Sequence, residues 1–151
     1  MTSATDRIEK KTLLRAPRAR VWRALTRAEE FGTWFRATFD GEFTPGARVT
    51  GRITYPGYEH LTLEIRIEKM DVQRLFSFRW HPYAVDPEAD YSREPTTLVE
   101  FHLQDAPGGT LLTVVESGFD AIPAARRAEA FRMNDQGWTE QMTFIEQYVA
   151  G

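Results

Sequence analysis

The chain contains no cysteine, which rules out disulfides, thiol catalysis and thiolate-held metals together. Histidine is nearly as scarce. His60, His81 and His102 are the only three, and no two of them have the spacing of a metal-binding pair, so no metal site is expected. No apolar run is long enough to span a bilayer. The opening Met1-Thr2-Ser3-Ala4-Thr5-Asp6 also lacks the basic and apolar regions of a signal peptide. The expectation is a soluble, cytoplasmic protein with no membrane insertion. The net charge of -3 comes from mixed signs along the chain, so the basic footprint of a nucleic-acid binder is missing. There is no glycine-rich phosphate loop, and Ser77, Ser92 and Ser117 lack the setting of a nucleophile elbow. No cofactor is expected.

What is present is ordinary globular material, 42% hydrophobic and 27% charged over 151 residues. That length suits one domain over residues 1–151, with enough chain to bury a core unaided. Aromatic residues are plentiful at 13%. They are the filling of a wide interior, either a solid core or the wall of a cavity.

The longest periodic stretch is the last. Ala124, Ala128, Phe131, Trp138, Met142, Ile145 and Val149 recur in steps of three and four, which predicts an amphipathic helix over 124–149 started by Pro123. Asp135 interrupts the stripe. Gly137 weakens the helix by about 1 kcal/mol relative to alanine and is read as permitting a close approach to the sheet or a side chain. Upstream, residues 7–14 alternate as a first strand. Pro17 then opens a short helix with Val21, Trp22, Ala24 and Leu25 on its apolar face and Arg18, Arg20, Arg23 and Arg27 outside. A second short helix spans 28–34, with Glu29 and Glu30 in its first turn. From Thr38 onward, period-two alternation and tight turns give a meander of six strands. One long connection interrupts it, from His81 to Pro95, with three prolines and several acids. The resulting fold class is α+β, a curved antiparallel sheet of about seven strands around a long C-terminal helix.

Val21-Trp22-Arg23-Ala24-Leu25-Thr26 followed by Trp34-Phe35 resembles the opening of the START-like helix-grip superfamily, also called SRPBCC. Pro95-Thr96-Thr97-Leu98-Val99-Glu100-Phe101, Gly109-Thr110-Leu111-Leu112-Thr113, Glu116-Ser117-Gly118-Phe119 and Gly137-Trp138 resemble its Aha-type branch, named for activators of a heat-shock chaperone ATPase. The likeness covers almost the whole chain. It implies a Bet v-like helix-grip fold with a cavity between the sheet and the long helix, opening near the second short helix and the strand ends.

Alternation then assigns the walls of that implied cavity to Phe39, Val49, Ile53, Tyr55, Leu63, Ile65, Phe78, Trp80, Val99 and Phe101. The helix adds Phe131, Trp138 and Met142, and Trp34 and Phe35 stand at the entrance. Such a set fits a ligand site, mostly apolar with a few placed polar groups. It equally describes a filled core in which the same residues touch one another. Asp135 would meet a donor on a ligand, or act as an acid or base, if it faced the cavity. Turned outward it would reach solvent or an arginine. His81 is either a rim donor or a solvated loop residue, and 83–91 is read as a lid, a dimer contact or a disordered segment. Three functions follow. The first is a module binding a small hydrophobic or aromatic molecule. The second is a cofactor-free cyclase or hydrolase using Asp135, His81, Tyr55 or Tyr83. The third is a chaperone co-factor, set back by the single domain, since the eukaryotic activators carry an additional one. Monomer and homodimer both remain open.

Overall fold

A computed structural model describes residues 6–84 and 89–150. Its elements in order are β1 (Arg7–Leu14), α1 (Arg18–Thr26), α2 (Ala28–Phe35), β2 (Ala37–Phe39), β3 (Arg48–Ile53), β4 (Thr62–Asp71), β5 (Leu75–Trp80), β6 (Thr97–Ala106), β7 (Gly109–Ser117) and α3 (Ala124–Ala150). One short 3-10 turn, Phe119–Ala121, precedes α3. The strands form one antiparallel sheet in the order β1-β7-β6-β5-β4-β3-β2. Strand β1 is one edge, α1 and α2 carry the chain to the opposite edge, and the rest meanders back. This is the α+β helix-grip architecture expected from the sequence. A register shift between Ile67 and Lys69 in β4 bends the sheet, as an inserted residue in one strand does.

Local chemistry explains the two short helices. Pro17 caps α1, its carbonyl accepting from Arg20 and Val21. Arg36 ends α2 in the left-handed region at φ 69, a conformation that costs a non-glycine residue about 1 kcal/mol or more. Its guanidinium lies over Phe144 at 4.6 Å and Tyr55 at 5.4 Å, contacts that hold the strained turn. Gly32 seats α2 on β2, because a Cβ there would lie 2.1 Å from the Ala37 carbonyl oxygen. Gly32→Ala is therefore expected to lower stability by about 1–3 kcal/mol, despite the helix gain of about 1 kcal/mol. Urea unfolding measures this, and an unchanged midpoint would mean that α2 can slide.

Helix α3 is held along both flanks. Toward β1, Lys10 pairs with Asp135 at 3.0 Å, and the Thr12 hydroxyl donates to Glu146. Toward α2, Gln141 Nε2 donates to the Phe35 carbonyl at 3.2 Å and the Tyr148 hydroxyl to Glu30 at 3.0 Å. Two of the expected stripe positions do not pack. Ala124 and Ala128 are exposed, and burial starts at Ala130, with Phe131 edge-on to Phe119 at 5.1 Å. Having a partner on each side displaces the buried face from a simple stripe, and Asp135 falls on the β1 side. Gly137 makes no close approach either, since a Cβ there would meet nothing within 4 Å.

The interior between sheet and helices is packed with rings. Phe31 of α2, 1% exposed, lies within 6.3 Å of Trp34, Phe35, Phe39, Phe43, Phe78 and Phe101, centroid to centroid. Phe43 and Phe76 stack at 5.8 Å, and Phe76 and Phe101 at 6.1 Å. The deep part of the grip is solid.

Candidate functional site

In β7 the inward positions run Thr110, Leu112, Val114 and Glu116. The last of these is a carboxylate with 0% exposure. Four neutral donors surround it. On the sheet side, Trp80 Nε1 at the end of β5 and Thr97 Oγ1 at the start of β6 donate to Oε2 at 2.8 and 2.5 Å. From α3, Asn134 Nδ2 and Trp138 Nε1 donate to Oε1 at 3.0 and 2.8 Å, with Asn134 also 3.2 Å from Oε2. Residues 134 and 138 stand one turn apart on one helical face, so a single acid ties helix to sheet. Burial pushes the Glu116 carboxyl above its ordinary range, opposed in part by the four hydrogen bonds. None of the donors carries a charge, so the hydrogen bonds repay ionisation only in part. With both oxygens engaged and no exposed surface, Glu116 does not touch a ligand. It positions two indoles and an amide.

Those indoles stand where the core meets the accessible part of the molecule, Trp80 lining it and Trp138 buried beneath at 3% exposure. Trp80 and Trp138 stack at 5.8 Å, and Phe35 closes the triangle at 6.0 Å from Trp80 and 6.3 Å from Trp138. Above them lies a cleft of about 580 Å³. Phe35, Ile53, Leu63 and Trp80 give it apolar walls, while His81, Tyr83, Tyr91 and Asn134 contribute polar edges. A narrower slot of about 150 Å³ adjoins it, between Phe35, Trp80, Trp138 and the α3 residues Asn134, Gly137 and Gln141. His81 donates from Nε2 to the Glu94 carbonyl at 3.2 Å, which leaves Nδ1 as the ring's acceptor when the imidazole is neutral. Arg126 of α3 gathers the flanks of the 81–95 connection. It donates to the Pro82 carbonyl at 2.7 Å, pairs with Glu94 at 2.8 Å and lies over the Tyr91 ring at 4.7 Å.

A larger groove of about 840 Å³ lies elsewhere, between the α1–α2 junction and the β2–β3 turn. Arg27, Glu29, Thr33, Thr38 and Glu42 are among its lining. Convergent aromatic faces, which make a small-molecule site, belong to the smaller cleft.

The expected wall residues divide into three groups. Phe35, Ile53, Leu63, Trp80 and His81 line the cleft, and Trp138 lines the slot. Val49, Ile65, Phe78, Val99, Phe101 and Met142 are buried in the core, where Phe78 and Phe101 touch each other at 6.1 Å. The remainder lie elsewhere. Phe39 packs on Phe43 at 5.2 Å beside the outer groove, and Phe131 on Phe119. Tyr55 lies past the end of β3 and is exposed against Tyr58. Trp34 is not at an entrance, for it is 3% exposed and spends its indole N–H on the Ala24 carbonyl at 2.8 Å. Asp135 turns away from the cleft to Lys10, a lysine rather than an arginine, and its side chain is 46% exposed. Sequence reading missed Glu116 and Asn134. Period two from Thr110 would have placed the acid inward, but the apolar Leu111 and Val115 on the other face obscured the alternation.

Among the described residues no helix is long and apolar enough to cross a membrane, and no three metal-type side chains gather.

The sequence profile described as activator of Hsp90 ATPase homolog 1-like protein, AHSA1, matches residues 15–150. The chain belongs to the AHSA1 family. No curated protein matches the sequence. Among solved structures it is similar to protein MLL2253 of Mesorhizobium loti, 22% identical with a TM-score of 0.74 over 95% of this chain and 96% of that one. It is also similar to Ms6760 of Mycobacterium smegmatis, 21% identical with a TM-score of 0.73 over 95% and 90%. A protein of Arthrobacter aurescens superposes with a TM-score of 0.79 at 16% identity, over 97% and 87%. Identities this low speak for the fold. Within that AHSA1 fold, Trp80 lines the cleft of this chain and Trp138 the adjoining slot.

Proposed function

We propose that this AHSA1 domain is a binding module, soluble in the cytoplasm, that holds a small hydrophobic molecule with an aromatic part in the 580 Å³ cleft. One observation carries the reading: Phe35 and Trp80 wall an open cleft, and Trp138, stacked on Trp80, lines the slot that adjoins it. Aromatic walls with a few fixed polar groups are the usual composition of such sites. An acid/base enzyme finds less support. Asp135 is off the cleft, and the buried acid that is near it, Glu116, is fully engaged by donors. Contact with a chaperone rests on the family's description alone, and a pull-down from cell extract retaining the chaperone would bring it forward.

Native mass spectrometry of the freshly purified protein is the direct test. An added mass of a few hundred daltons that leaves on denaturation is the expected result. Leu63 is half-buried at the mouth, so Leu63→Glu should empty the cleft while the fold survives. Retention of the same added mass in Leu63→Glu would remove the cleft from the function.

A further inference from the structure

The slot beside the cleft has a chemical bias that the cleft lacks. The polar atoms on its border that are left without a partner are acceptors. Trp80 and Trp138 direct their N–H groups to Glu116, so they offer the slot only ring surface. Asn134 Nδ2 also donates to Glu116, whose oxygens fix which end of the amide faces them. The Asn134 carbonyl oxygen is thereby turned the other way, toward the slot and cleft that this residue lines, with no hydrogen-bond partner among the described residues. Seven residues along the same helical face, Gln141 Nε2 is held by the Phe35 carbonyl. Its Oε1 is buried and has no partner among the described residues. Between the two amides stands Gly137, whose absent side chain leaves the space open. An orphaned buried acceptor is rare in a folded protein and calls for a partner.

The slot is about 150 Å³, close to the size of an engineered apolar cavity of about 150 Å³ that holds one benzene ring. We infer that this slot is a subsite for a single neutral aromatic ring bearing a hydrogen-bond donor, a phenol-type hydroxyl, which stacks on Trp80 and Trp138 and donates to the Asn134 carbonyl. A small turn of the Gln141 amide, whose last torsion is soft, brings in the second acceptor. The inference rests on the binding reading above and adds the class of group that enters first. Glu116 acts through Asn134 as a positioning residue.

Phenol and toluene, nearly equal in shape, test it on the full chain by isothermal titration and by amide chemical shifts. A slot with only apolar walls prefers toluene, because an unmet hydroxyl is costly to bury. The slot described here should bind phenol about three- to tenfold more tightly than toluene, the worth of one net hydrogen bond. Asn134→Leu should reverse that order. Gly137→Leu adds a side chain where no atom stands, so the fold is retained while both probes lose the slot. Toluene binding as tightly as phenol, or an unchanged preference in Asn134→Leu, overturns the subsite and leaves the cleft reading standing. Phenol binding that survives in Gly137→Leu also overturns it. So does tetramethylammonium bound in preference to phenol, which would mark a cation cage. If neither probe shifts any cleft or slot residue, the subsite and the cleft reading fall together.

Discussion

Glu116→Ala is expected to cost about 3–5 kcal/mol, the range for removing one partner from a buried, fully engaged polar cluster. The substitution leaves Trp80 Nε1, Trp138 Nε1, Asn134 Nδ2 and Thr97 Oγ1 without their common acceptor. Two of these belong to the sheet and two to α3, so the loss falls on the contact that joins them. Glu116→Gln should cost less, about 1–3 kcal/mol, because the amide oxygen still accepts two bonds while its N–H₂ confronts the remaining donors. Urea unfolding of both variants measures the order. A pH series adds a second readout. The folded carboxyl titrates above its ordinary 4.5, so below that value Glu116 is protonated in both states and its contribution is complete. As pH rises through 4.5 the unfolded chain ionises first, and the contribution falls until the folded carboxyl also ionises. The stability of the native protein minus that of Glu116→Gln should therefore decline with rising pH. Taking the difference cancels exposed acids such as Glu68, which arginines hold below the ordinary range and which act in the opposite sense. A difference that grows with pH would mean that the fold stabilises the charged form.

Phe31→Ala is the second large effect, about 3–5 kcal/mol, as for other buried phenylalanines cut to alanine. No other ring is so central, with six aromatic neighbours between 4.7 and 6.3 Å. Their faces belong to α2, to β2, β5 and β6, and to the segment around Phe43, so the void cannot close by moving one element. The hole should remain and be apolar, and benzene at millimolar concentration should restore part of the lost stability by binding only the folded state. Thermal unfolding with and without benzene measures this. If benzene raises the midpoint of the native protein as much as that of Phe31→Ala, the interior was already hollow.

Phe31 also shows where sequence reading stops. Alternation identifies Val49, Ile65, Phe78, Val99 and Phe101 as inward, and inward they are. Whether inward residues enclose space or fill it depends on what other elements insert between them. Here α2 inserts Phe31, and the segment before β3 adds Phe43. No period carries that information, because the volume comes from residues remote in the chain. The meander and the two short helices were legible because turns and period-two runs are local signals; the pairing of β1 with β7 is not local and was not. The wall residues Leu63 and Trp80, which line the cleft, were legible for the same reason, while Phe35 was placed by the family resemblance. Asp135 was left open between cavity and solvent because a helical stripe assumes one partner surface, whereas α3 is wedged between β1 and α2. Glu116 was hidden by apolar neighbours on both faces of β7, and Asn134 by Asp135 next to it, which alone was read as the break in the stripe.

The edge position of β1 has a bearing on how the chain is made. Its ladder partner is β7, Arg7 opposite Ser117 and Leu14 opposite Thr110, so the first strand synthesised waits for nearly the last. Contacts this remote in sequence are slow to close. During that wait β1 is a bare strand, open to pairing with a neighbouring nascent chain. The charges of Arg7, Lys10 and Lys11 act as gatekeepers against such pairing. Moving β1 to the end of the chain by circular permutation, after α3, would shorten the wait while keeping the same sheet. Such a permutant should refold faster and aggregate less at high expression than the natural order of elements.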